Sequence, residues 1–324
     1  MPKAYCPIAL VNTIVKLLSS IVVEDILHLV ETHQLLPATH FGGRPGRSTT
    51  DSLHLLVDYI KAAWWHKQVV AVLFLDIEGA FPNTVMDCLL HSLRVRWIPE
   101  TYVLLVKNML TGHRNQLRFD DYLSGWFDLD NRIVQGDPHS MLLYLFYNTD
   151  MLDIAQGWQE MCLGYVDDMA LVATAGTFKK AHRMLGKMMA KSQGGYAWSK
   201  ARNSRFKMSK SVLVEFSRSK HVEWPNMMLQ GTVILPKASH KFLGVMLDQD
   251  LRWHQQANYT IGKASKWIMA YQRLARVASG VNLQLMRQLY MAVTIPKMMY
   301  TVSSTSVLCE ILVLRSGTCI FQCQ

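Results

Sequence analysis

The segment GYVDDMALVA, residues 164 to 173, sets two acids side by side between short apolar runs. Apolar runs of this length predict two strands, so Asp167 and Asp168 fall on the turn between them. Tight hairpin turns favour Asn-Gly or Asp-Gly, which tolerate positive φ. Two adjacent carboxylates repel each other and make a poor turn, which points to chemistry as the reason for the pair. A third acid, Asp76, ends the apolar run VVAVLFLD, residues 69 to 76. Taken alone, Asp76 reads as a helix cap or a strand-end turn. If its strand neighbours the hairpin, three carboxylates converge at one edge of a sheet, on the order of 4 Å apart. An oxygen-only site of this kind suits magnesium, which fills its shell with waters and substrate phosphates. Two metals held this way activate an attacking hydroxyl and stabilise a leaving phosphate oxygen.

Positioning these acids requires a sheet with helices around it. VVAVLFLD is a continuous apolar run of strand length and belongs at the sheet centre. Before it, the spacing predicts a helix from Ile8 to about Val30 and a Gly- and Arg-rich loop, FGGRPGRSTT. Ser48 or Thr49 then caps a second helix carrying Leu55, Leu56, Tyr59 and Ile60. Helices are expected at 84–95 and at 99–111, the latter with Pro99 in its first turn. Strands at 115–119 and 127–134, a helix from Ser140 to Ala155, the hairpin at 161–173 and a helix at 177–191 follow. Short strands near 211–216, 227–235 and 241–247 precede two basic helices at 255–277 and 282–295. This order is α+β with a mixed sheet.

The composition narrows the class of partner. The chain has 324 residues, half of them hydrophobic, enough for a substantial core in two or three subdomains. No window reaches eighteen uninterrupted apolar residues, and the first residues lack the layout of a secretory signal. The expectation is an intracellular chain without a membrane span. Cys6, Cys88, Cys162, Cys309, Cys319 and Cys323 form no Cys-x-x-Cys pair and read as reduced, buried thiols. The net charge is +10, with a pI near 9.3. Residues 179–220 hold twelve Lys or Arg against one acid, Glu215, and 251–297 hold seven basic residues and no acid. Two such segments suit a groove that tracks phosphates.

FLDIEGAFPNT, QGDPHSMLLYLFYN and GYVDDMALVA, in this order, resemble the three central motifs of reverse transcriptases, most closely those of LINE-like, non-LTR retrotransposons of the fungal kind. YCPIALVNT, FGGRPGRSTTDSL, WSKARNSRFKMSKSVLVEF and KFLGVMLDQDLRW resemble the flanking blocks, so the likeness runs from about Tyr5 to Tyr300. It implies a right-hand polymerase with a ferredoxin-like palm sheet: partial fingers over 1–67, palm over 68–250, helical thumb over 251–300 and an atypical tail over 301–324. The implied activity is RNA-directed DNA synthesis from an RNA template, a DNA primer and deoxynucleoside triphosphates, in the nucleus. The cofactor is two Mg2+ ions, with Mn2+ as an alternative.

By position, the resemblance makes Asp76 and Asp167 ligands of both ions and Asp168 an anchor of the one that activates the primer hydroxyl. The Ile77 carbonyl completes the nucleotide-side metal. Phe81 falls at the aromatic gate around the incoming sugar, although alone it reads as a core aromatic. Gln135 and Gly136 begin the loop near the nascent pair, where a glycine lets backbone approach a nucleotide. Lys210, or Lys207, is placed as the lysine that protonates departing pyrophosphate. Arg44 and Arg47 are placed on the template backbone. Tyr165 lies beside the primer, and Gly231 and Gly244 belong to a primer grip.

Several residues depart from the pattern. Cys6 stands where the family has an arginine against the triphosphate, and the lysine-bearing strands ahead of that block are missing, which suggests a truncated copy. His139 and Met141 replace Leu and Pro, and Asp137 replaces a serine. The tail, with three cysteines, has neither family pattern nor period. Two other readings follow: a remnant palm that only binds nucleic acid, and a two-metal nucleotidyl cyclase. The Gln-Gly-Asp-Pro segment and the basic C-terminal helices weigh against the cyclase.

Overall fold

The structure, a computed structural model, describes residues 8–128, 133, 135–219, 224–274 and 280–300. Cys6, Cys309, Cys319, Cys323 and the tail therefore lie outside the described residues. The elements run α1 (Thr13–His33), β1 (His40–Phe41), α2 (Thr49–Trp65), β2 (Val69–Leu75), β3 (Ile77–Glu78), α3 (Met86–Val95) and α4 (Glu100–Met109). Four two-residue strands follow: β4 (Arg114–Asn115), β5 (Arg118–Phe119), β6 (Tyr122–Leu123) and β7 (Phe127–Asp128). Next come α5 (Pro138–Leu152), β8 (Glu160–Tyr165), β9 (Asp168–Ala175), α6 (Phe178–Ala190), α7 (Gly195–Ala201), β10 (Arg205–Phe206) and β11 (Val212–Phe216). The chain continues through β12 (Met227–Leu229), β13 (Thr232–Ile234), β14 (Ser239–Phe242), β15 (Val245–Asp248), α8 (His254–Leu274), α9 (Leu283–Leu289) and α10 (Ile295–Met299).

The main sheet has the order β1-β8-β9-β2-β11, with β1 parallel to β8 and every other neighbour antiparallel. Its four long strands, taken with α5 and α6 between them, make the β-α-β-β-α-β ferredoxin-like arrangement. All seven residues of β2 are buried, as a central strand covered on both faces requires. Alternation splits them cleanly. Ala71, Leu73 and Leu75 face a core built with α1, α3, α4, α5 and α6. Val70, Val72 and Phe74 face a second core with α2, the β14–β15 hairpin and the start of α8. Glu215, the one acid of the first basic segment, is fully buried on β11, with His182 Nε2 2.7 Å from its carboxylate.

Local signals explain most boundaries. The Asn12 side chain accepts from Ile14 N–H at 2.9 Å, so α1 starts at Thr13 and not at Ile8. Its buried face is Val22, Ile26 and Val30 at four-residue spacing, while Leu10, Ile14 and Leu17 are exposed. Ser48 and Asp51 form a reciprocal capping box for α2. Two expectations fail. The strand placed at 115–119 is not continuous: it is divided between β4 and β5, which pair with β7 and β6, and Asp120, at a positive φ of 47°, lies in the turn from β5 to β6; of the strand placed at 127–134, Phe127–Asp128 form β7. Residues 129–132 lie outside the described residues. The helix expected over 282–295 ends at Leu289 and gives way to a π-turn at Tyr290–Thr294 before α10. Pro296, which has no N–H and crowds the carbonyl four residues back, accounts for the break. Among the described residues, no helix is long and apolar enough to cross a membrane.

Candidate active site

Asp76 follows the last paired residue of β2, Leu75, whose partner across the sheet is Met169. Extending that register by one residue sets Asp76 beside Asp168, the first residue of β9. Both share the alternation of the Val70–Val72–Phe74 face. Tyr165 pairs with Asp168, which leaves Val166 and Asp167 as a two-residue turn. The sheet thus brings the three acids to one end.

The turn carries strain. Val166 has φ of 57°, a left-handed conformation that a β-branched side chain strongly resists. A hairpin with positive φ at its first central residue normally places glycine there. The surroundings hold Val166 in place. Its N–H donates to Phe41 O at 3.4 Å, the buried Asn148 side-chain amide donates to Val166 O, and its side chain is only 9% exposed. Gly42 backs it so closely that a Cβ would stand 2.8 Å from Val166 Cγ2. The loop 39–42, the helix α5 and the hairpin together impose a conformation that the turn sequence alone disfavours.

The acids act on one another. Partial loss of hydration raises the Asp167 carboxyl above its ordinary value, and Asp76 adds to the shift. Asp168 is pushed up to about 6 by the same loss of water and by the charges of Asp167 and Asp76. Among the described residues, no three His, Cys, Asp or Glu side chains stand close enough to hold a metal ion between them. The expected convergence is therefore at the level of strand ends, not of a ready-made cluster. In chemistry the donor set fits a hard divalent cation: three carboxylates at one sheet end, all oxygen donors.

A two-residue ladder supplies a lysine. β10 pairs antiparallel with β3, Phe206 to Ile77, which carries Lys207 to the end of β2. Lys207 N–H donates to Asp76 O at 2.9 Å, and the Lys210 ammonium sits 3.4 Å from Asp76 Oδ2. Ile77 is thereby paired in β3, with its side chain buried.

The remaining residues singled out from the sequence divide. Phe81 is half-buried, its ring 5.2 Å from that of Tyr144. Tyr144 escaped notice in the sequence. It is fully buried in α5, its hydroxyl has no hydrogen-bond partner among the described residues, and burial with the nearby Asp167 charge drives its phenol far above the ordinary value. Gly136 takes φ of 117°, and a Cβ there would lie 2.6 Å from Ala9 O. Gln135 O accepts from Ala9 N–H at 2.7 Å, so this loop packs on the segment leading to α1. The unusual Asp137 caps α5, accepting from His139 N–H at 2.9 Å.

Arg44, placed on the template backbone from the sequence, is held within the fold. Its side chain is 1% exposed, it pairs with both Glu31 oxygens at 2.7 and 3.1 Å, and it donates to Pro37 O and His40 O. Each of its three nitrogens already donates to Glu31 on α1 or to a loop carbonyl, and the side chain is almost wholly shielded from solvent. Arg47 also turns inward, donating to Ala38 O at 2.6 Å, but keeps 26% of its side chain exposed. Tyr165 and Gly244 meet around Tyr300. The Tyr300 hydroxyl donates to Leu243 O at 3.1 Å, its ring edge lies against Gly244, and its phenol adds to burial in raising that of Tyr165. Gly231 lies in the β12–β13 turn, with φ of 75°. Tyr300 too was missed, since nothing in its local sequence marks it.

Residues 2–247 match the family model described as reverse transcriptase (RNA-dependent DNA polymerase). The chain is 28% identical over 252 residues to a probable RNA-directed DNA polymerase from transposon X-element of Drosophila melanogaster, covering 77% of this chain and 27% of the relative. It is 24% identical over 291 residues to the RNA-directed DNA polymerase from mobile element jockey of the same species, covering 86% and 31%. The chain thus spans roughly a third or less of the length of these relatives. In fold it is similar to telomerase from Candida tropicalis, solved with a fragment of telomeric RNA and in apo form. The TM-score is 0.52 and the identity 9% in both cases, covering 91% and 92% of this chain and 46% and 50% of the telomerase chains. Such low identity speaks for the fold alone, a right-hand polymerase. The LINE-like motifs, the ferredoxin-like sheet and the matched family model lead to one conclusion: this chain belongs to the reverse transcriptase family.

Proposed function

We propose that the chain carries out RNA-directed DNA synthesis as the reverse transcriptase domain of a non-LTR retrotransposon. The carrying observation is the sheet end shared by Asp76, Asp167 and Asp168, where lost hydration and neighbouring charge raise the carboxyls of Asp167 and Asp168, with Lys210 beside Asp76. Divalent-metal dependence goes with the family. Here Asp76, Asp167 and Asp168, with the Ile77 carbonyl, would hold two Mg2+ ions, or Mn2+ in their place. When bound, such ions supply charge neutralisation and polarise the oxygens that react.

The chain's own residues do the rest. The strained Val166 turn fixes Asp167 at the sheet end, because a turn determined by its surroundings has little freedom to wander. Phe81, braced by Tyr144, lies against the sugar of the incoming deoxynucleotide. Gln135 and Gly136 approach the nascent pair. Tyr165, Gly244 and Tyr300 form the primer side, and Arg47 keeps an exposed edge toward the template. Lys210 gives its proton to the departing pyrophosphate oxygen. In this reading residues 1–67 are partial fingers, 68–250 the palm and 251–300 the thumb, two of whose lysines lie over aromatic rings: Lys263 over Tyr259 at 4.5 Å and Lys297 over Trp267 at 4.1 Å.

Extension of a DNA primer on an RNA template by the purified chain, with Mg2+ and deoxynucleotides, tests the proposal. Incorporation that disappears in Asp76→Asn while duplex binding persists is expected. Equal incorporation by Asp76→Asn would overturn it.

A further inference from the structure

Lys210 points its ammonium at a carboxylate, which phosphate chemistry alone does not explain. Its backbone is tethered: Lys210 N–H donates to Lys207 O at 2.9 Å, and Lys207 N–H donates to Asp76 O at 2.9 Å. The root of the side chain is therefore pinned to the end of β2, whatever its head does. That head is mobile in chemistry and setting, a four-carbon stem 59% exposed to solvent, against a carboxylate 39% exposed. Neither Asp167 nor Asp168 has an ion-pair partner among the described residues. Of the three acids, Asp76 alone is neutralised, and by a lysine. An exposed pair of this kind shifts an equilibrium only about two- to five-fold, so it is strong enough to occupy the carboxylate and weak enough to be displaced.

We propose that Lys210 is the resident cation of the centre between reactions, occupying Asp76 until a divalent ion displaces it and frees the ammonium for the nucleotide's phosphates. The inference rests on the reading of Asp76 as a metal ligand. It makes assembly of the centre an exchange of one cation for another. It also accounts for three acids that share a sheet end without forming a ready-made cluster: one is held to a lysine while the other two repel.

Mn2+ binding to the full chain, followed by the free-ion EPR signal without nucleotide or nucleic acid, reads the exchange directly. Lys210→Met should bind Mn2+ about two- to five-fold more tightly than the parent, because the competitor is gone. Lys210→Arg, which keeps a competing charge, should not. Lys207→Met removes an equal charge whose side chain does not pair with Asp76, and should leave affinity unchanged. In an Asp76→Asn background, Lys210→Met should have no effect. Unchanged or weaker affinity in Lys210→Met overturns the inference, as does an equal gain in Lys207→Met, which would mark a diffuse field. If Asp76→Asn alone leaves Mn2+ affinity at the parent value, the metal-ligand reading itself fails. If it weakens binding while Lys210→Met is silent, only the exchange fails.

Discussion

Val166 and Asn148 are joined by a buried hydrogen bond from the Asn148 amide to the Val166 carbonyl, and Val166 holds φ of 57° beneath it. A helix core and a hairpin turn are thus coupled at the residue preceding the paired acids. The turn that looked wrong in sequence is maintained by tertiary contacts.

Stored strain predicts an unequal response to glycine. Val166→Gly loses a buried isopropyl group but relieves roughly 1–3 kcal/mol of backbone strain. Val172→Gly, in the fully buried centre of β9, loses the same group and relieves none. Urea unfolding should find Val166→Gly the less costly by about 1–3 kcal/mol. Equal losses would show that the turn is unstrained.

Arg44 is expected to govern stability. Replacing it with alanine leaves a cavity, a half-buried Glu31 without its main partner and two carbonyls without donors. The cost should be about 3–5 kcal/mol, as for breaking a buried ion pair. Arg47→Ala, at a more exposed site, should cost under about 1 kcal/mol. An Arg44→Ala protein with parental stability and weakened template binding would favour the template role over the structural one.

His40 predicts acid sensitivity. It is fully buried, neither ring nitrogen has a hydrogen-bond partner among the described residues, and burial with the nearby Arg44 charge lowers its pKa to about 3. The unfolded ring takes its proton near the ordinary value of 6.5. Below that pH the unfolded state binds more protons, so this contribution to stability is complete above 6.5 and is lost as pH falls toward 3. His40→Phe, of similar shape and without orphaned nitrogens, should flatten this part of the stability–pH curve and be near neutral at pH 7. An unchanged slope would show that His40 is solvated.

Tyr144→Phe and Tyr144→Ala separate two contributions beside Phe81. The hydroxyl is buried without a partner, so Tyr144→Phe should leave folding intact or slightly stabilised. Tyr144→Ala removes the ring that braces Phe81 and should cost about 3–5 kcal/mol. If extension is active, its deoxynucleotide KM should rise in a stable Phe81→Ala more than in Tyr144→Phe. The reverse order would place the sugar elsewhere.

Much of this was legible because it was local or periodic. The apolar run of β2, the hairpin around Asp167 and the Ser48 cap follow from residue patterns over a few positions. Pairing β2 with β9 needed only the inference that two acid-bearing strands are neighbours. What stayed hidden is non-local and brief. The β3–β10 ladder has two residues on each side and no alternation to betray it, yet it delivers Lys207 and Lys210 to Asp76. Arg44 reads as a surface cation until Glu31, Pro37 and His40 fold around it. The four small strands after Thr111 are exposed and carry no buried face to pattern.

The central claim, that Asp76, Asp167 and Asp168 serve one divalent-metal centre, is tested most directly by anomalous scattering. Crystals of the chain with primer–template, Mn2+ and an unreactive deoxynucleotide analogue should show Mn2+ peaks touching Asp76 and Asp167, with Asp168 adjoining one of them and Lys210 withdrawn from Asp76. Mn2+ bound elsewhere, with Asp76 still paired to Lys210 in the presence of nucleotide, would contradict the account.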